Sequence, residues 1–258
     1  MFSSTTIAAM IVGAVLAFVI PIAAVVIFKL KNRDALLPSA LVGMVTFVLF
    51  AMILEQIPGL IILPMLQSST AAYIIYSALA AAIFGETGRL AAYKTVMKNN
   101  LTTKNAIMKG LGHGGFEMMV LLGFSMISFA ASATMVANDG LETAINALAA
   151  GDSGAIDSIR AQLESFASFN FGNTALAVYE RLLALTLNVC MSVLVFHAVT
   201  RPAQMKLYVL AVIFHTAFEA LSEMYQLEIM ILPVITALTA LTAGIVYFTI
   251  TITKKFTD

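Results

Sequence analysis

Residues 7–33 read IAAMIVGAVLAFVIPIAAVVIFKLKNR, a charge-free run of 22 residues that ends on Lys29, Lys31 and Arg33. Wound as a helix at 1.5 Å per residue, such a run is long enough to cross about 30 Å of hydrocarbon. The basic flank is the kind that anchors a membrane helix at the cytoplasmic surface. No basic residue precedes the run, so the segment reads as a retained span and not as a cleaved leader. Comparable runs recur at 36–54, 70–88, 106–137, 175–199, 207–222 and 229–252, which makes seven expected helices. The composition agrees, at 60% apolar and 11% charged, where a soluble domain carries about one-quarter charged residues.

Basic residues gather in alternate connections: Lys29, Lys31 and Arg33, then Arg89, Lys94, Lys98, Lys104 and Lys109, then Arg201 and Lys206, then Lys254 and Lys255. The connections between them carry Glu55, then Asp139, Glu142, Asp152, Asp157 and Glu164 against Arg160, then Glu223 and Glu228. Lys and Arg collect on the cytoplasmic side, so the expected fold is an all-α, seven-helix, polytopic membrane bundle with its N-terminus outside and its C-terminus cytoplasmic. No basic stripe exists apart from this signal, and nucleic-acid binding is excluded. Cys190 is the only cysteine. It cannot form a disulfide within the chain or a thiolate metal site, and it reads as a small core residue. The fifteen methionines are scattered and read as packing.

No internal repeat divides the chain, so residues 1–258 are expected to form one transmembrane domain. The outer connection, about 138–174, reads as two short amphipathic helices near 141–150 and 154–168, parted at Gly151-Asp152-Ser153, forming a lid or a plain surface cap. Ile57-Pro58-Gly59-Leu60 through Pro64 is apolar yet proline-broken, which suits a hairpin, a re-entrant segment or an interfacial loop at the outer surface.

All three histidines, His113, His197 and His215, fall inside apolar stretches. Counted from the basic ends of the expected helices, Glu86 lies roughly 6 Å deep, His113 about 10 Å, His197 about 5 Å and His215 about 13 Å, one layer near the cytoplasmic face. Glu86 and Arg89 are spaced i,i+3, while His113 with Glu117 and His215 with Glu219 are i,i+4, so each pair shares a helix face. Gly112, Gly114 and Gly115 strip bulk from around His113. Glu219 lies toward the outer side of the layer. Glu180 and Arg181 lie roughly 24 Å outward of His197 and are expected to pair locally or to anchor the outer loop.

Intramembrane Glu and His side chains mark functional sites by default. A buried carboxylate with imidazoles and water is suited to hydrolysis. Glu86, His113, His197 and His215 would equally suit a zinc ion, although the chain has no His-Glu-x-x-His signature. A scaffold held together by the same polar layer is a second reading. A proton or solute pathway is a third, disfavoured by the lack of an inverted repeat. A retinal pump is excluded because the last span has no interior lysine.

Phe84-Gly85-Glu86-Thr87-Gly88-Arg89, Gly110-Leu111-Gly112-His113-Gly114-Gly115-Phe116-Glu117, Tyr179-Glu180-Arg181, His197 and Phe214-His215 occur in this order along nearly the whole chain. Together they resemble the YhfC family of bacterial intramembrane proteases, which is related to the CAAX-processing and bacteriocin-processing proteases and to the Aph scaffold subunit of gamma-secretase. The resemblance implies a multi-pass protein of the bacterial cytoplasmic membrane that is surrounded by lipid and cleaves a peptide or membrane-protein substrate. It also implies that Glu86 activates water, Arg89 holds or orients that glutamate, and His113, His197 and His215 complete the catalytic layer, with either no cofactor or one zinc ion. The family pattern has two adjacent glutamates where this chain has Gly85 and Glu86. Glu117 is therefore an alternative base, and reduced activity or a scaffold role stays open.

Overall fold

The computed structural model describes residues 2–66 and 68–257. Among them, seven helical spans are long and apolar enough to cross a membrane. They are α1 (Ser4–Lys31), α2 (Leu37–Thr46) continued in wider π-type turns over Phe47–Leu54, and α4 (Thr70–Lys94). The fourth comprises α5 (Thr103–Met118), π-type turns over Met119–Phe124, and α6 (Ser125–Asp139). The last three are α9 (Phe171–Thr200), α10 (Lys206–Gln226) and α11 (Ile231–Thr257). Shorter helices α3 (Gln56–Leu66), α7 (Leu141–Ala149) and α8 (Ile156–Phe166) fill two of the connections. The protein is thus an all-helical, polytopic membrane bundle.

Two expectations are corrected. Residues 56–66 form a helix, not a hairpin or loop: Pro58 falls in the first turn, where its missing N–H has no helical partner to lose. The other concerns the basic flanks. α4 runs on to Lys94 and α5 begins at Thr103, so Arg89 and Lys109, read above as cytoplasmic, lie inside helices and are fully buried. Hydropathy shortened both spans because it scores a charge as exposed, whereas these two turn toward protein.

The chain folds as two compact units, one made of the residues up to Ile20 with Met118–Arg181, the other of Pro21–Glu117 with Leu182 onward. In the first unit, α7 and α8 are parted by Gly151, at φ +90°, and by Asp152, whose side chain accepts from the Gly154 N–H at 2.9 Å. Arg160 donates twice to Glu142, at 2.6 and 2.7 Å, and these bonds hold the Glu142 carboxyl below its ordinary range. The pair is exposed, so its effect on stability is small.

The second unit packs Tyr93 of α4, Met97 of the turn after it, Leu187, Met191 and Leu194 of α9, Ala211 and Phe218 of α10 and Leu238 of α11 into one apolar core. α2, α5 and α9 meet at backbone contact. A Cβ on Gly43 would stand 2.1 Å from the Lys109 carbonyl oxygen, one on Gly112 would stand 2.1 Å from that of Ala40, and one on Gly110 would stand 2.6 Å from Val189 Cα. In lipid, where apolar burial does not drive helices together, such small-residue contacts bring them close. Here they set α5 against α2 on one side and α9 on the other.

Candidate functional site

Helical spacing aligns polar side chains along one face of each of three helices. α4 presents Glu86, Arg89 and Tyr93, α5 presents Lys109, His113 and Glu117, and α9 presents Asn188 and Ser192, all at i,i+3 or i,i+4 intervals. All eight are buried.

Arg89 is the hub. Its Nη1 donates to Glu86 Oε1 at 2.5 Å, its Nη2 donates to Asn188 Oδ1, and its Nε donates to Ser192 Oγ at 3.3 Å. Asn188 Nδ2 donates onward to Glu117 Oε2 at 3.0 Å, and Tyr93 OH donates to the Ser192 carbonyl at 2.9 Å. His215 of α10 completes the group, with Nδ1 at 2.7 Å from Glu86 Oε1 and Nε2 at 3.4 Å from Glu219 Oε1. Glu86 Oε1 is therefore shared by a guanidinium and an imidazole. Its Oε2 is buried and has no hydrogen-bond partner among the described residues. The asymmetry leaves one oxygen anchored and the other available to accept a proton.

His113 lies on the α5 side of this group with 2% exposure. Its ring stands edge-on to Phe47 with centroids 5.5 Å apart, and Nδ1 is buried without a hydrogen-bond partner among the described residues. Gly85 also faces the group: a Cβ there would be 3.1 Å from His215 Cε1 and 3.4 Å from Arg89 Nη1.

The structure therefore brings Glu86, Arg89, Glu117 and His215 into one hydrogen-bonded network and sets Glu219 against His215. His197 engages other groups: its Nε2 meets Thr253 Oγ1 at 3.3 Å, its Nδ1 meets Arg201 Nη1 at 3.1 Å, and its ring lies beside Phe256. It ties the end of α9 to α11. Glu180 and Arg181 pair with one another in the first unit. The sequence reading missed Asn188, Ser192, Tyr93 and Lys109, although Asn188 and Ser192 stand i,i+4 apart on α9.

Outside the spans, Glu55 follows the end of the Phe47–Leu54 turns, and its carboxyl is pushed up to about 7 by burial and then by the charge of Glu219, with Glu117 adding to the effect and His215 opposing it. As for a metal, no three His, Cys, Asp or Glu side chains among the described residues converge as a coordination shell requires. The anchored oxygen of Glu86 already faces a guanidinium, and His197 has partners elsewhere. The donors as arranged do not fit a metal ion.

The profile of the YhfC intramembrane metalloprotease family matches residues 16–240. The chain is also similar to "Uncharacterized membrane protein YhfC" of Bacillus subtilis (strain 168), at 30% identity over 234 residues that cover 88% of this chain and 87% of that protein. No solved structure matches it significantly. By the extent of the profile match and the near end-to-end likeness to that relative, the chain belongs to the YhfC intramembrane metalloprotease family.

Proposed function

We propose that the protein is a membrane-embedded peptidase that hydrolyses a peptide bond with water activated by Glu86. The observation that carries this reading is the unequal treatment of the two Glu86 oxygens, one held by Arg89 and His215, the other buried and free. A carboxylate fixed in this way can take a proton from water on Oε2 while Oε1 stays in place. The hydroxide formed attacks the scissile carbonyl carbon, and the tetrahedral adduct collapses as the amine leaves with a proton. Arg89 and His215 orient the base, Asn188 and Ser192 orient Arg89, Glu117 supports Asn188, and His113 Nδ1 is the group that would meet the leaving nitrogen. The family's name implies a metal, which these donors as arranged do not fit.

On this reading the basic connections face the cytoplasm of a bacterial cell, the site opens toward the inner half of the cytoplasmic membrane, and the substrate is a peptide or membrane protein that enters from lipid. The test is cleavage of a pool of fluorescence-quenched peptides by protein reconstituted in phosphatidylethanolamine and phosphatidylglycerol vesicles. Glu86→Gln is expected to abolish cleavage while folded yield is kept. Equal cleavage by the variant would overturn the reading. Loss of folding without any cleavage by the parent would favour the scaffold role that the dense network between α4, α5 and α9 also suits.

A further inference from the structure

Three polar atoms of this region are fully buried without a hydrogen-bond partner among the described residues: Glu86 Oε2, His113 Nδ1 and Lys109 Nζ. The reaction above uses the first two. Lys109 is 0% exposed, and its Nζ stands over the Tyr93 ring, 5.5 Å from the centroid. An amine buried in a membrane helix without a hydrogen-bond acceptor is costly, and a folded protein rarely keeps such a group where it has no use. α4 and α5 run antiparallel, with Tyr93 against Lys109 and, further along, Arg89 joined through Asn188 to Glu117. One helical turn separates Lys109 from His113 on the same face of α5. The three free atoms therefore line neighbouring positions of one polar seam: a proton acceptor on α4, and on α5 an imidazole nitrogen and an amine.

We propose that Lys109 is a further catalytic residue of this site, its Nζ–H donating to the carbonyl oxygen of the scissile peptide. The inference rests on the peptidase reading. When water oxygen bonds to the carbonyl carbon and its proton passes to Glu86 Oε2, the carbonyl π pair moves onto oxygen. Lys109 stabilises that oxyanion until the C–N bond breaks and the proton leaves with the amine. The balance is one water and one amide giving one carboxylic acid and one amine. Because the donor acts on charge that develops in the transition state, it lowers the barrier without tightening binding of the intact peptide.

The experiment compares parent, Lys109→Met and Glu86→Gln in the same vesicles with the same quenched-peptide pool, reading kcat and KM separately together with the melting temperature. Lys109→Met is expected to lower kcat by about 10²–10³-fold with KM changed little. Its melting temperature should not fall, since methionine fills the same volume without an unpaired amine. A melting temperature that falls with kcat unchanged would assign Lys109 a structural role against Tyr93 and overturn the inference. Unchanged kcat in Lys109→Met beside lost activity in Glu86→Gln would overturn it while leaving the peptidase reading intact. Activity retained by Glu86→Gln, or absent from the parent, would overturn the reading itself and this inference with it.

Discussion

Arg89→Met is the most informative single change to the network. Methionine keeps most of the volume but removes every bond of the hub, leaving the Glu86 carboxylate at 0% exposure with only His215 beside it, and freeing Asn188 Oδ1 and Ser192 Oγ. Removing one partner of a buried ion pair costs about 3–5 kcal/mol, because the remaining charge stays desolvated. At roughly 2–4 °C per kcal/mol for a chain of this size, the melting temperature should fall by about 6–20 °C. The protein has no tryptophan, but Cys190 is a single buried thiol, so a maleimide dye that fluoresces on reaction with it reports unfolding in detergent. Adding Glu86→Gln removes the stranded charge, and the double variant should recover part of the loss, with a coupling of about 1–3 kcal/mol. A drop below about 2 °C for Arg89→Met, or a double variant no better than the single, would refute the claim that this pair sits in a water-poor interior.

Four further outcomes follow from the same geometry. Gly112→Ala should destabilise by about 3 kcal/mol or more, because its Cβ would stand 2.1 Å from the Ala40 carbonyl oxygen, whereas Gly85→Ala, meeting the side chains of His215 at 3.1 Å and Arg89 at 3.4 Å and no backbone, should cost clearly less in the same thiol assay. Glu55 holds its proton more tightly folded than unfolded, so between about pH 4.5 and 7 the unfolded chain ionises first and this residue's share of stability declines as pH rises. Glu55→Gln should therefore raise the melting temperature at pH 8 and leave it nearly unchanged at pH 4, and the reverse order would contradict the assignment. His197→Ala should lower stability by loosening α9 from α11 yet leave KM and kcat of the surviving folded protein near parental values, measured on the quenched peptides. Treatment with a chelator, followed by metal analysis of the purified protein, should leave both melting temperature and peptide cleavage unchanged, since no coordination shell forms among the described side chains.

The seven spans were legible because charge collects between them and apolar residues fill them. Their ends were not, because Arg89 and Lys109 carry charge into protein, where a partner or a neighbouring ring replaces water, and hydropathy cannot see a partner. The pairing of Glu86 with Arg89 could be read from spacing alone. Its meeting with His215 depends on how α4 and α10 pack, and depth was a fair guide to it. Depth misled for His197, whose direction on α9 is set by Arg201 one turn later, an i,i+4 neighbour visible in the sequence. Asn188 and Ser192 left a fainter trace, two neutral polar residues on one face of the most buried span, which only the structure ties to the arginine.

The most direct measurement is cleavage in water enriched in oxygen-18, read by mass spectrometry of the peptide products. Parental protein is expected to place one heavy oxygen in each new C-terminal carboxyl, and Glu86→Gln of equal folded yield none. Labelled product at the same rate from both proteins, or none from either, would contradict a buried Glu86 that activates water.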